Sequence, residues 1–240
     1  GLGPDGTVWG GEVLLGGYGS VERVGWLRPA PLVGGDRAQE EPWRNAVVRL
    51  DAAGLSELAD HLFADQPRDV LRRAAAVGLN APLSSSAGRL FDAVAACVGL
   101  SSRRQSYEGE AAMLLEAMAV REGGEEAYPF NLDGAEIDPA PMFRALADDL
   151  ARDVPRRKIA RRFHLGLALV FCRCARAAAE RAGTRTIALS GGCFQNMTLL
   201  DFAMRELDGF EICGPGQVPA NDGGLAFGQA LVALASMESV

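Results

Sequence analysis

The stretch Leu189-Ser190-Gly191-Gly192-Cys193-Phe194-Gln195-Asn196 decides how this chain is interpreted. An apolar run, residues 186–189, leads into it and a helix-like pattern follows it. The glycines therefore lie where a strand is predicted to end and a helix to begin. Glycine lets the backbone turn sharply and approach a ligand, and free N–H groups at a helix start favour an anion such as phosphate. By themselves the glycines fit equally well a tight turn that binds nothing.

A second glycine loop, Asn221-Asp222-Gly223-Gly224, precedes the last predicted helix. Asp222 either caps that helix, which is the commoner use of such a residue, or reaches a metal ion or a phosphate-bound cation. A second short strand, residues 210–213, lies between the two loops. The order strand, helix, strand, helix predicts a parallel α/β unit over residues 186–236, in which ligands bind beyond the carboxyl ends of the strands.

The rest of the chain is predicted to supply a β hairpin and a layer of helices. The hairpin spans residues 7–32, with glycines 16, 17 and 19 in its turn. The helical layer spans residues 42–182 and ends in a long helix from Pro155 to Ala182, while the acidic, glycine-rich residues 121–138 indicate a surface loop. We expect an α/β fold whose mixed sheet combines residues 7–32 with residues 186–213.

Composition excludes several classes of protein. The net charge of -7 argues against a nucleic-acid partner. The longest apolar run, residues 165–172, is far shorter than the roughly 20 residues of a membrane span. Five cysteines at scattered positions, without the spacing of a zinc site, indicate a reducing cytoplasm. The chain begins without methionine inside a glycine-rich turn, and we interpret it as part of a longer protein.

Two carboxylates stand out in the helical layer. Asp92 is surrounded by apolar residues on a predicted helix, so its carboxylate must be paired, hydrogen-bonded or facing a cavity. Glu108 opens the next helix together with Gly109, where a carboxylate also favours the helix dipole. Two carboxylates at such positions suit the two hydroxyl groups of a ribose, because each hydroxyl donates one hydrogen bond.

Taken together, the motifs resemble the C-terminal region of the HypF-type carbamoyltransferases, over essentially the whole chain. They occur in the order Asp5-Gly6-Thr7-Val8-Trp9-Gly10-Gly11-Glu12, Gly34-Gly35-Asp36, Glu41-Pro42-Trp43-Arg44, Phe91-Asp92-Ala93-Val94-Ala95-Ala96, Tyr107-Glu108-Gly109, Leu189 to Asn196, and Asn221-Asp222-Gly223-Gly224. Each motif is weak by itself, whereas the ordered set is specific.

The resemblance implies one half of a module with the actin/Hsp70/sugar-kinase fold, similar to the TsaD-type tRNA threonylcarbamoyl transferases. It implies ATP and carbamoyl adenylate as ligands, the latter made from carbamoyl phosphate and ATP. The carbamoyl group would pass to the C-terminal cysteine of the partner HypE, for the cyanide ligands of [NiFe]-hydrogenase. The other implied partners are upstream domains of the same polypeptide. The alternative is a degenerate module of this fold that binds a nucleotide, or serves a structural role, without catalysis.

The resemblance also implies residue roles, each at a matching motif position. Asp92 and Glu108 would hold the nucleotide ribose or neighbouring polar atoms, and Gly109 beside them would also contact the nucleotide. A second group would line the adenylate or phosphate side: Ser190, Gly191, Gly192 and Asn196. Asp222 would bind a divalent metal, Fe, Mg or Zn, with Gly223 and Gly224 close to the phosphates.

The histidines of this chain do not complete that metal site. The metal-binding His-x-x-x-His motif of the family has no match at His61 or His164. We therefore expect the chain alone to lack a complete metal site and to be inactive in carbamoyl transfer. His164 is predicted to be a hydrogen-bonded core residue, and Cys193 to pack as a small apolar residue rather than act as a nucleophile. The basic residues 156–162 form either a solvated helix face, which we favour, or a docking surface.

Overall fold

The computed structural model of the chain describes residues 1–238. The strands are β1 (Glu12–Gly16), β2 (Val21–Leu27), β3 (Ala30–Pro31), β4 (Leu83–Ser84), β5 (Asn131–Asp133), β6 (Glu136–Asp138), β7 (Thr186–Ala188) and β8 (Glu211–Cys213). The helices are α1 (Arg37–Glu40), α2 (Pro42–Ala52), α3 (Ser56–Leu62), α4 (Arg68–Ala76), α5 (Ala87–Cys97), α6 (Glu110–Ala119), α7 (Ala140–Ala151), α8 (Arg156–Ala182), α9 (Met197–Glu206) and α10 (Leu225–Glu238).

The strands form a four-stranded mixed sheet and two small two-stranded sheets. The order in the larger sheet is β1-β2-β6-β5. Its β2 and β6 are parallel, and its other pairs are antiparallel. In the small sheets β3 pairs antiparallel with β4, and β7 pairs parallel with β8. The predicted α/β class is confirmed, and so is the parallel pairing of the two C-terminal strands.

The sheet predicted to combine residues 7–32 with residues 186–213 is wrong. The hairpin β1-β2 continues into β6 and β5, which come from residues 131–138, and β7-β8 is a separate sheet. Residues 121–138 are accordingly not wholly a surface loop. Ile137 of β6 is fully buried and pairs with Leu27 of β2. One buried apolar side chain in a short, otherwise polar run gave no strand periodicity to detect.

The core lies among α2, α5, α7 and α8. Its largest fully buried side chains include Leu50, Phe91, Phe143 and Phe163, and Phe91 meets Phe163 edge to face with ring centroids 4.9 Å apart. The ends of these helices follow local sequence signals. Ser86 Oγ accepts a hydrogen bond from the Arg89 N–H at the start of α5. The 27-residue α8 ends at Gly183, whose φ of +66° suits glycine.

The basic residues of α8 hold the acidic segment that precedes β5. Arg157 is paired with Glu122, Arg161 donates to the Gly124 carbonyl oxygen, and Arg162 is paired with Glu126. Residues 156–158 stay exposed, so the favoured interpretation as a solvated helix face is confirmed for this part of the run, while Arg161 and Arg162 are engaged with the acidic segment. The docking surface stays a prediction. Opposite charges at residues 121–126 and 156–162 were both visible in the sequence, but only the fold shows that they meet.

The last helix, α10, lies largely on the surface although it is apolar on all sides. Leu225, Phe227 and Leu234 are each more than half exposed. Across residues 1–238, none of the helices combines the length and the apolar character needed to cross a membrane.

Candidate nucleotide-binding site

The two glycine loops meet at the carboxyl ends of β7 and β8. The Gly191 N–H donates to the Ala220 carbonyl oxygen over 2.9 Å, and the Leu189 N–H donates to the Cys213 carbonyl oxygen over 2.8 Å. Gly191 has a φ of +101°, which side chains disfavour. Ser190, Gly191 and Gly192 are all exposed at the surface. The loops therefore form an open edge of backbone at the position where parallel α/β units bind ligands.

The second loop is shaped by close backbone packing. A Cβ on Gly224 would lie 2.8 Å from the Pro219 carbonyl oxygen, so this position requires glycine. Asn221 accepts a hydrogen bond from the Gly223 N–H through its Oδ1 over 3.1 Å. Asn221 rather than Asp222 is thus the capping residue, and the capping hypothesis for Asp222 is wrong. The carboxylate of Asp222 is left exposed beside the loop.

Asp92 lies inside the molecule on α5, where none of its surface is exposed. Burial raises the pKa of its carboxyl group from 3.8 to about 6, although Arg89 and a hydrogen bond from Gln105 act to lower it. Gln105 Nε2 donates to Asp92 Oδ1 over 3.3 Å. The 3-10 turn Gly192–Gln195 of the first glycine loop packs against α5. The fold thus brings Asp92 and the Ser-Gly-Gly loop together.

Arg89 lies on α5 one turn before Asp92. Its Nε lies 3.1 Å from Asp92 Oδ2, in a charge pair that does not have hydrogen-bond geometry. Within the part of the chain that the structure describes, Arg89 Nη1 and Asp92 Oδ2 are buried and have no hydrogen-bond partner. Unpaired buried donors and acceptors are rare, so these two atoms mark a position where a polar group is expected.

Glu108 and Gly109 immediately precede α6, and Glu108 lines a cavity. The cavity has a volume of about 560 Å³ and is lined by Asp36, Gln39, Glu40, Arg104, Gln105, Ser106, Tyr107 and Glu108. Glu108 is exposed and Gly109 has a φ of +82°. Gln105 connects this cavity to Asp92, because its amide group also donates to the Gln39 carbonyl oxygen over 2.7 Å.

Asn196 has a structural environment that the sequence did not indicate. Its Oδ1 accepts from the Leu199 N–H over 2.9 Å and so caps α9. Its amide nitrogen is 2.9 Å from Nε2 of His164, which is fully buried. Burial lowers the pKa of His164 to about 4, so the ring is neutral and accepts from Asn196. His164 is confirmed as a hydrogen-bonded core residue. Both polar groups of the Asn196 side chain are engaged internally.

Cys193 packs against the main core as predicted. Burial raises the pKa of its thiol to about 11. A thiol is a nucleophile only when ionised, so at neutral pH this residue behaves as a small apolar side chain. The packing hypothesis for Cys193 is confirmed.

The Asp5–Glu12 motif fixes the hairpin to the start of α5. Arg23 lies over the Trp9 ring, 4.3 Å from its centroid, and pairs with Asp5 and Glu12, each at 2.9 Å. The same Arg23 donates to Ser85 Oγ over 3.1 Å, just before α5 begins. The motif therefore supports the helix that carries Arg89 and Asp92.

The described residues, 1–238, do not by themselves form a site for a divalent metal. Metal sites need several oxygen, nitrogen or sulfur ligands around one point. Within residues 1–238, Asp222 has no cluster of two further His, Cys, Asp or Glu side chains around it. Asp222 could therefore contribute one ligand to a metal ion, but it cannot hold that ion alone.

Sequence reasoning missed Arg89 and Gln105. Arg89 stands three residues before Asp92 on a helix, a spacing that places both on one face and was readable from the sequence. Gln105 gave no such signal, because it reaches Asp92 only through the fold.

Comparisons with known proteins agree with this architecture. Residues 1–229 match the family model described as carbamoyltransferase, Kae1-like domain, second subdomain. Carbamoyltransferase HypF of Rhodobacter capsulatus is 59% identical over 100% of this chain and 32% of its own length. The probable carbamoyltransferase HypF of Methanocaldococcus jannaschii is 30% identical over 96% of this chain and 31% of its own length.

Two crystal structures superpose closely on the chain. Full-length HypF in the phosphate- and nucleotide-bound form has a TM-score of 0.91 at 31% identity, over 99% of this chain and 32% of that one. HypF of T. kodakarensis has a TM-score of 0.86 at 29% identity, over 98% of this chain and 33% of that one. The chain spans about a third of the length of these relatives. It belongs to the carbamoyltransferase HypF family, in which it matches the second subdomain of the Kae1-like domain.

Proposed function

We propose that the chain is the nucleotide-binding half of a HypF-type carbamoyltransferase module. The observation that carries this proposal is the junction of the two glycine loops, with Gly191 bonded to Ala220, beside the buried Asp92 of α5. Ser190, Gly191, Gly192 and Asn196 would line the adenylate or phosphate side, with Gly223 and Gly224 close to the phosphates. Asp92 and Glu108, with Gly109, would hold the ribose. A relative solved with phosphate and nucleotide bound supports a nucleotide as the ligand class.

In the proposed reaction the thiol of the C-terminal cysteine of HypE attacks the carbamoyl carbon of carbamoyl adenylate. The bond between that carbon and the phosphate oxygen breaks, AMP leaves, and the thiol proton is released. The acceptor thiol comes from the partner, which agrees with the un-ionised thiol of Cys193 in this chain. The chain's own contribution is to bind and orient the adenylate. We place the reaction in the cytoplasm, on the path to the cyanide ligands of [NiFe]-hydrogenase, with no nucleic-acid or membrane partner.

We also propose that the chain alone binds ATP but does not transfer the carbamoyl group. Asp222 supplies at most one metal ligand, and the chain spans about a third of its relatives. The remaining ligands and the adenylate-forming step would belong to the upstream domains.

The experiment combines ligand binding with transfer. Thermal unfolding of the chain is followed with ATP, with and without Mg²⁺, Zn²⁺ or Fe²⁺, and HypE is then incubated with ATP, carbamoyl phosphate and the chain. We expect an ATP-dependent rise in the melting temperature and no thiocarboxamide on HypE by mass spectrometry. The absence of any shift would refute nucleotide binding, and rapid modification of HypE would refute the division of roles.

A further inference from the structure

The strongest unexplained feature of the molecule is the pair of unsatisfied atoms on α5. Arg89 Nη1 is a donor and Asp92 Oδ2 is an acceptor, and both are buried without a hydrogen bond. They belong to side chains already held within 3.1 Å of one another by the Arg89 Nε contact. An unmade hydrogen bond at a buried charged group costs free energy, so the arrangement is expected to be completed by a further group.

The missing group must accept from Arg89 and donate to Asp92. A hydroxyl group does both, since it has one O–H donor and two lone pairs. The other oxygen of Asp92 is already occupied by Gln105, which directs the ligand to Oδ2. We propose that Arg89 and Asp92 together bind one ribose hydroxyl of the nucleotide, so that Arg89 is a specificity-determining residue of the site. This inference rests on the proposed nucleotide-binding function.

The surrounding charges favour a neutral group over an ion. Asp92 offsets the charge of Arg89, and the nearby Glu108 adds a second negative charge. The Cys193 thiol, which lies near both side chains, is uncharged at neutral pH. A phosphate would therefore meet two carboxylates, and a cation would have no acceptor for the Arg89 donor. A hydroxyl suits this balance, and a bound water molecule is the alternative that the experiment must separate from it.

Access to the pair involves the first glycine loop. Neither atom reaches the surface, and the turn Gly192–Gln195 packs against α5. The proposal therefore requires this turn to move aside when the nucleotide binds. The turn follows Gly191, whose φ of +101° is open to glycine alone at low energy.

The test compares ATP with 2′-deoxyATP and 3′-deoxyATP, measured by titration calorimetry on the full chain. We expect the wild type to bind one of the two deoxy analogues about tenfold or more weakly than ATP, the effect of losing a hydrogen bond to a charged group. Arg89→Gln should lower ATP affinity to nearly that of this analogue and leave the affinity for the analogue unchanged. A purely structural role of Arg89 would lower the two affinities equally.

The control is Arg73→Gln, which makes the same chemical change on an exposed helix face and should alter no affinity. Arg89→Lys, which keeps the charge, guards against misfolding of Arg89→Gln, and far-ultraviolet circular dichroism checks both. Equal binding of ATP and both analogues by the wild type would overturn the inference and indicate water at the pair, while leaving the proposed nucleotide site intact. Failure of the wild type to bind ATP at all would overturn both proposals.

Discussion

Asp92 should make the chain less stable as the pH rises from acid to neutral. Burial raises the pKa of this carboxyl group from 3.8 to about 6, so the folded state holds the proton more tightly than the unfolded chain does. The resulting stabilisation is fully present below about pH 3.8, declines as the pH rises, and is lost above about pH 6. A well-paired surface carboxylate has the opposite effect, because its contribution to stability is lost as the pH falls.

The size of the effect follows from the pKa change. A rise from 3.8 to about 6 corresponds to about 3 kcal/mol in the free energy of unfolding. Asp92→Asn keeps the size of the side chain and the acceptor for Gln105 but cannot ionise. The stability of the wild type relative to this variant should therefore fall by about 3 kcal/mol between acid and neutral pH, with most of the change between about pH 3.8 and about pH 6.

Urea unfolding followed by circular dichroism at closely spaced pH values measures both proteins. The comparison cancels every other titrating group that the two share, because only residue 92 differs. Parallel stability curves for wild type and variant would refute the reasoning, and so would a difference that grows in favour of the wild type as the pH rises.

Three further predictions concern the packing of the chain. Gly166→Ala would place a Cβ 2.3 Å from the Tyr128 carbonyl oxygen and should lower the free energy of urea unfolding by about 3 kcal/mol. The control Gly228→Ala, which has open space around the new Cβ, should not destabilise the protein. Equal effects of the two substitutions would contradict the steric argument. Burial opposes ionisation of Asp149, but hydrogen bonds from Tyr128 and Arg162 outweigh this effect and lower the pKa of its carboxyl group. Asp149→Asn should therefore lower the free energy of urea unfolding by about 3 kcal/mol at neutral pH, and by less as the pH falls below about 4. A destabilisation that does not change with pH would contradict this prediction. Cys193→Val should keep the melting temperature within a few degrees and leave ATP binding unchanged, since the thiol is un-ionised; a folded variant that no longer binds ATP would revive a functional role for this thiol.

Much of the candidate site was readable because its signals are local. The glycine loops follow apolar strands and precede helices, and the structure puts Gly191 and Ala220 in contact at that place. The family membership followed from the order of short motifs. Sequence reasoning missed Arg89, Gln105 and the role of Asn196. Only the fold could show two of these, because Gln105 is hydrogen-bonded to Asp92 and Asn196 to His164, and each partner is distant in sequence.

The partition of the sheets shows where sequence reasoning stopped. The hairpin residues 12–27 have strand-forming side chains, and their pairing with one another is a local event. Their third partner, residues 136–138, is short and mostly polar, and lies more than 100 residues along the chain. Pairing at such a distance depends on how the helices between them pack, so periodicity could not identify it.

The structure of the stretch from Leu189 to Asn196 depends partly on local sequence and partly on contacts with distant segments. The sequence alone determined that a strand ends in glycines before a helix, since apolar runs, glycine and caps act within a few residues. The tertiary structure decided that this loop meets Ala220, that Cys193 packs against the core, and that Asn196 holds His164. These are contacts between distant segments, and they depend on which buried surfaces fit together rather than on the pattern within any one segment.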